Sequence, residues 1–325
     1  MSYLENEKQY TGAELEQIFF RPILSGPSAE ELGVRVLYNM PTPTTVQLWS
    51  GQKNILQKYT TTGWNGSTHT TKTQKTIPMK RVKAELGFAA SDYFSMVYEK
   101  IVSNASVNMG DLSGTQLEEA ETALFKQILA ENLRATMWVG DSSAPSGYNT
   151  FDGFLKYIKE GVDGESITNS TYKNSDLAAA GGVVKVFDTL WANSSPALQS
   201  AKGDGHLAIF VTSDLYTLYE KYLDEKGVDA AYTGETEGRP TLSYHGIPVI
   251  DLRVGSYLPS GYDKSFCFLT DRRNLVLAVN TADLPGNEVR MWYNPDMMEN
   301  RQRAVFMAGC AVLDDNSVTY ASITA

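Results

Sequence analysis

The sequence predicts an α+β chain that combines an extended β-flap, one long helix and a mixed α/β half, on three observations. Residues 76–88, TIPMKRVKAELGF, place Val82, Ala84, Leu86 and Phe88 on one side and Lys83, Glu85 and Gly87 on the other, the period-two pattern of a half-buried strand. Residues 115–139, TQLEEAETALFKQILAENLRATMWV, carry apolar residues at helical spacing without an internal Gly or Pro. Residues 206–227, HLAIFVTSDLYTLYEKYLDEKG, read as a strand followed by a helix, and further strand-like runs follow to the C-terminus.

The elements follow in order. Residues 1–33 hold a short helical pattern, GAELEQIF, and RPILSGPSAEELG, an arm with little core of its own. VRVLYNM and TTVQLW are strands separated by a break at 41–43 that contains two prolines. Next comes YTTTGWNGSTHTTKTQKT, residues 59–76, eight of whose eighteen residues are threonine. Thr favours extended backbone without requiring burial, so this stretch and its flanking strands form a two-stranded flap. Arms of about fifteen residues would reach roughly 50 Å. An isolated hairpin is marginal in water, so the flap needs a partner surface. Trp64, a large aromatic at the tip of a polar flap, is suited to fill a pocket on a partner, or else to fold back on Tyr59.

In the long helix, Thr115 with Glu118 forms a capping box, and Leu117, Ala120, Leu124, Ile128, Leu133 and Met137 form the expected buried stripe, with Gly140 as the stop. GDSSAPSGYNTFDG is a turn-rich connector, and 155–182 reads as polar loop with short strands. VVKVFDTLWANSSPAL is a helix with Val183, Phe187, Leu190 and Trp191 on one face. Residues 207–211 are a strand. Ser213 is the expected N-cap of the next helix, whose stripe is Leu215, Leu218, Tyr219, Tyr222 and Leu223, closed by Gly227. TLSYHGIPVIDL, SFCFLTD and NLVLAVN are strands. The chain ends on a long buried strand, a turn at Asp315–Asn316 and a last strand.

Composition excludes several function classes. The net charge of −10 opposes a basic stripe for tight nucleic-acid binding. No run approaches the ~20 apolar residues that span a bilayer, and the N-terminal MSYLENEKQY lacks the basic-then-apolar pattern of a secretion signal. Cys267 and Cys310 lie in apolar strand-like runs and read as buried thiols. His69, His206 and His245 have no second ligand at zinc spacing, and no phosphate-binding Gly-rich loop is present. The GDSS at 140–143 is similar to the Gly-Asp-Ser of a lipase-like hydrolase family. It follows a helix, however, and no histidine lies beyond His245 to serve Ser142 or Ser143. Asp314 and Asp315 belong to a turn.

The order of elements resembles the major capsid protein of tailed double-stranded DNA bacteriophages, the Hong Kong 97-like fold, over residues 15–323. Two stretches carry the resemblance: LEEAETALFKQILAENLRATMWVGD running into PSGYNTFDGFL, and the series HLAIFVTSDLYTLYEKYLDEKG, TLSYHGIPVIDL, FCFLTDRRNLVLAV. The resemblance implies an N-terminal arm at 1–40, an extended loop at 41–84 lying over a neighbouring subunit, and a peripheral domain at 85–165 with spine helix 115–139. It further implies an axial domain at 166–272 and peripheral return strands at 273–325. The implied function is a structural, non-enzymatic subunit that assembles as pentamers and hexamers into an icosahedral phage or prophage shell around double-stranded DNA. The same fold also serves encapsulin-type nanocompartments, which remain the alternative. Itself, a separate scaffold, a portal, a maturation protease and DNA held without sequence specificity are the implied partners. No cofactor, metal or membrane is implied, and the location is the virion, made in the bacterial cytoplasm. Candidate inter-subunit contacts are Tyr59, Trp64, His69, Lys72 and Lys75. The two lysines lie in the element that some members cross-link, but no matching motif predicts that bond here.

Overall fold

Among the described residues the chain forms two sheets, a separate β-ribbon and four main helices. The structure is a computed structural model and describes residues 8–10, 17, 19, 32–40, 44–50, 61, 71–89, 116–177, 181–226, 232–236, 239–280, 287–294, 296–297 and 299–324. In chain order the elements are β1 (Lys8–Tyr10), β2 (Arg35–Tyr38), β3 (Thr44–Ser50), β4 (Thr71–Ile77), β5 (Lys80–Ala89), α1 (Gln116–Val139), α2 (Phe154–Asp163) and β6 (Thr168–Lys173). They continue with α3 (Gly182–Ala192), β7 (Leu207–Val211), α4 (Ser213–Lys226), β8 (Tyr232–Thr236), β9 (Arg239–Tyr244), β10 (Ile247–Asp251) and β11 (Ser265–Asp271). The last four are β12 (Leu275–Asn280), β13 (Glu288–Asn294), β14 (Glu299–Val312) and β15 (Val318–Thr324).

The first sheet is built around β14. Its residues 299–308 pair with β5 on one side. On the other side β13 pairs with residues 299–305 and β12 with 307–312, so β13 and β12 lie end to end. β1 extends the sheet beyond β13 and β2 beyond β12. The alternation read from 82–88 holds over 82–87: Val82 is buried, Ala84 and Leu86 are half-buried, and Lys83, Glu85 and Gly87 are exposed, while the Phe88 side chain lies outside the described residues.

The second sheet runs β6-β15-β11-β7-β10-β9-β8. Both of its faces are covered, which explains why β7 is buried at every position. Ala208, Phe210, Phe266, Phe268 and Tyr320 face the core shared with α1 and α2. Leu207, Ile209, Val211, Cys267, Leu269 and Ile323 alternate with them and face α3 and α4. At the centre of the shared core Trp138 is fully buried, its ring 5.3 Å from Phe154 and 5.9 Å from Phe210. His245 and Gly246, at φ 47° and 80°, form the tight turn that joins β9 to β10.

Five expectations are corrected. The last strand does not return to the sheet of β12–β14; β15 lies between β6 and β11. Within 155–182, read as loop with short strands, Phe154–Asp163 is a helix. Its two lysines and its internal glycine masked a face made of Phe154, Leu155, Ile158 and Gly161, all buried. Ile167 packs close over Gly161, where a Cβ would lie 2.6 Å from its Cδ1 and would push that side chain aside. The buried face of α1 is Phe125, Leu129, Leu133 and Met137, while Leu124 is 36% exposed and Ile128 half-buried. Two apolar stripes lie side by side on that helix, and periodicity alone does not choose between them. Ser213 is the first helical residue of α4 rather than a cap, and its hydroxyl donates to Asp251 Oδ1 at 2.8 Å. Strand β5 joins the sheet from Lys80, inside the span assigned to the extended loop. Thr115, the side chains of Leu117 and Ala120, and Gly227 lie outside the described residues.

Candidate functional site

The β3–β4 ribbon is the element of the described structure that pairs only with itself. Its register runs from Thr44↔Ile77 to Ser50↔Thr71, a ladder of seven antiparallel pairs, about 20 Å long. β-branched residues make it: four of the seven residues of β4 are Thr or Ile. Successive residues alternate in exposure. Thr45, Gln47, Gln74 and Thr76 are exposed, and Val46 and Lys75 are half-buried opposite one another.

The root of the ribbon is anchored in the chain's own core. Ile77 and Met79 are buried with Val276, Ala278, Ala311 and Leu313, and Val46 packs against that cluster. They cover the face of β12 that Leu275, Leu277 and Val279 do not use. Between Ile77 and Met79, Pro78 crosses close over β14: a Cβ on Gly309 would lie 2.3 Å from the Pro78 carbonyl oxygen. Only a glycine allows that approach.

Of the candidate contact residues, the structure places Lys72 and Lys75 on β4, paired with Trp49 and Val46. Tyr59, Trp64 and His69 lie outside the described residues. Sequence reasoning missed the anchors Ile77, Met79 and Gly309. The Pro within TIPMK and the Gly inside the strand FMAGCAV were the available signals, since each marks a departure from regular pairing.

The GDSS segment is a structural turn. Ser143 Oγ donates to Asp141 Oδ1 at 2.6 Å, and Ser142 N donates to Asp152 Oδ1 at 2.8 Å. Lys156 Nζ closes the loop onto α2, bonding Asp141 Oδ1 at 2.7 Å and Asp152 Oδ1 at 2.8 Å. The Lys156 and Ser143 bonds hold the Asp141 carboxyl down at about 2. Burial works against the charged forms of Asp152 and Lys156, but their mutual bonds outweigh it, keeping Asp152 below its ordinary value and Lys156 above its own. A carboxylate, not an imidazole, accepts from Ser143, so no activated nucleophile is assembled here. Asp314 likewise serves a turn, accepting from Asn316 N at 3.1 Å. Cys267 and Cys310 are both free and buried, and burial pushes both thiols up. Among the described residues no group of His, Cys, Asp or Glu could hold a metal, and no helix is long and apolar enough to cross a membrane.

No protein-family model and no curated protein matches the chain by sequence. Solved structures do match it by shape. A chain of the satellite phage P4 procapsid, solved with its size determination protein, aligns over 97% of this chain and 93% of its own, at a TM-score of 0.57 and 12% identity. The capsid of Myoviridae phage XM1 aligns over 92% of each chain at 0.51 and 11% identity. The chain has the Hong Kong 97-like fold. An encapsulin, in the holo-SrpI complex from Synechococcus elongatus PCC 7942, also matches, over 88% of this chain and 84% of its own at 0.50 and 11% identity.

Proposed function

We propose that this chain is the major capsid protein of a tailed double-stranded DNA phage or prophage, assembling as pentamers and hexamers into an icosahedral shell. The observation that carries the reading is the β3–β4 ribbon, built on a capsid fold and paired with no third strand among the described residues. A two-stranded ribbon of this length is marginal on its own. A neighbouring subunit supplies the surface it lacks. The first sheet with α1 and α2 is the peripheral domain. The second sheet with α3 and α4, joined by β15, is the axial domain. Packaged DNA is enclosed without sequence-specific contacts, in keeping with the net charge of −10. The subunit performs no catalysis.

Removing residues 59–76 tests the reading. The variant keeps the circular dichroism and cooperative unfolding of a folded subunit but closes no shells. Normal shells from this variant would overturn the proposed role of the ribbon. The encapsulin match supports a second reading, a nanocompartment shell. Neighbouring genes separate the two: portal, terminase and protease for a phage, a ferritin-like or peroxidase cargo for a nanocompartment.

A further inference from the structure

A cavity of about 260 Å³ lies between α2 and the second sheet. Leu155 and Val162 of α2 form one wall. Phe266 of β11 and Tyr320 of β15 form another, their rings stacked with centroids 5.9 Å apart. The loop before β11 adds Tyr262, whose ring is held by Lys159: Nζ lies 5.0 Å from the ring centre and donates to the Gly261 carbonyl at 2.6 Å. At ~30 Å³ per water, the space holds roughly eight or nine groups of that size.

Two polar side chains that are more than nine-tenths buried, Tyr320 and Ser322, line this cavity without a well-formed partner. The Tyr320 hydroxyl donates to Asp263 Oδ2 at 3.2 Å, and Ser322 Oγ lies 3.4 Å from Thr171 Oγ1. Both separations exceed the roughly 2.5–3.0 Å of an ordinary O–H···O bond. Buried hydroxyls are normally matched in folded chains, so these two call for a further polar group inside the cavity.

Charge selects the kind of group. Asp163 and Asp263 line the cavity, and neither has an ion pair among the described residues. Asp163 is also the last residue of α2, whose last turn carries no basic side chain. The negative end of that helix dipole is therefore left without a counter-charge of its own. Both lysines of α2 are engaged elsewhere, Lys159 on Gly261 and Tyr262, and Lys156 on Asp141 and Asp152. Burial first, and then the Asp263 carboxylate, pushes the Tyr320 hydroxyl up, as expected beside a negative charge. A divalent metal fits poorly: among the described residues no third His, Cys, Asp or Glu joins the two carboxylates, and the walls are carbon.

We propose that this cavity binds a primary alkylammonium group, its nitrogen against Asp163 and Asp263 and its carbon chain between Leu155, Val162 and the Phe266–Tyr320 pair. Every lining residue belongs to one subunit, so the isolated full chain is the sample.

Titration by ligand-observed NMR tests it. Butane-1,4-diamine stands for a free amine and Nα-acetyl-lysine amide for a side chain borne by another chain; the tighter of the two identifies the source. The expected result is saturable binding at a single site with a dissociation constant of about 1 mM. Asp163→Asn and Asp263→Asn each weaken it by about tenfold. Asn169→Tyr, on the exposed edge strand β6, fills the cavity, leaves both carboxylates in place and abolishes binding. Circular dichroism confirms that each variant is folded. Butan-1-ol binding as tightly as the amines overturns the proposal, since the cavity would then select for carbon alone. Amine binding that survives Asn169→Tyr, or that ignores both aspartate variants, overturns it as diffuse attraction to an acidic surface. No saturable binding of either amine overturns it as well, leaving a cavity that holds water only. None of these outcomes bears on the shell reading.

Discussion

Replacing Gly309 with alanine perturbs the place where the ribbon leaves the body. The added Cβ would sit 2.3 Å from the Pro78 carbonyl oxygen and 3.1 Å from Met79 Cα. Ordinary contact begins near 3.4 Å, so β14 or the Pro78 peptide must move by roughly 1 Å. Both are backbone held by pairing on either side, β5 with β14 and β4 with β3. Overpacking of this kind costs about 1–3 kcal/mol. A chain of 325 residues unfolds with an entropy of ~0.7 kcal/mol/K, so the melting temperature falls by about 1.5–4 °C. Because Pro78 joins the end of β4 to the start of β5, the displacement also tilts the ribbon, and along ~20 Å of ladder its far end moves by a few ångströms. Shell yield, measured by electron microscopy and normalised to folded protein, therefore falls more than stability does. Gly203→Ala is the matched control, since a Cβ there meets nothing within 4 Å. A Gly309→Ala protein with the wild-type melting temperature and normal shells would refute the claim that Gly309 positions the ribbon.

Three further outcomes follow from the same structure. Lys156→Met leaves Asp141 and Asp152 facing each other without their shared cation; the site is partly exposed, so the cost is about 2 kcal/mol, between the surface and buried limits. Urea unfolding of this variant at neutral pH measures the loss, and an unchanged midpoint would contradict it. Asp141, Asp152 and Glu288 are all held below their ordinary values. Their contribution is thus complete above about pH 4 and is lost as pH falls toward about 2, with the sign of a depressed carboxylate. Denaturation midpoints taken across that window fall for the wild type and fall less for Lys156→Met; parallel curves would remove these ion pairs from the account. Phe125→Ala, at a position 1% exposed, costs about 3–5 kcal/mol, while Leu124→Ala on the neighbouring stripe costs under about 0.5 kcal/mol. Equal losses at the two sites would reverse the face assigned to α1.

Local patterning made much of the fold legible. The long helix, expected at 115–139, is Gln116–Val139, and the strand–helix unit β7–α4 lies where its apolar run and its stripe put it. Strand β5 declared itself because one face is buried and the other wet, which writes the alternation into the residues. What was hidden depended on long-range partners. β15 lies between β6 and β11, a choice made by strands far away in sequence. α2 was obscured because Gly161 reads as a helix breaker until Ile167 is seen packed against it. The stripe on α1 misled because Leu124 and Ile128 are apolar at helical spacing and lie beside the residues that the core buries, Phe125 and Leu129. In the candidate site, the threonines at 71–76 disclosed strand β4, while its anchoring by Ile77, Met79 and the Pro78–Gly309 crossing required the packed structure.

The most direct test of the central claim is electron microscopy of the purified recombinant chain, with light scattering on the same sample at increasing concentration. The account predicts closed shells, or rings and sheets of five- and six-fold units, whose reconstruction places the β3–β4 ribbon of each copy over its neighbour. Assemblies in which every ribbon folds back onto its own subunit, or a chain that stays monomeric at all concentrations with or without its assembly partners, would contradict it.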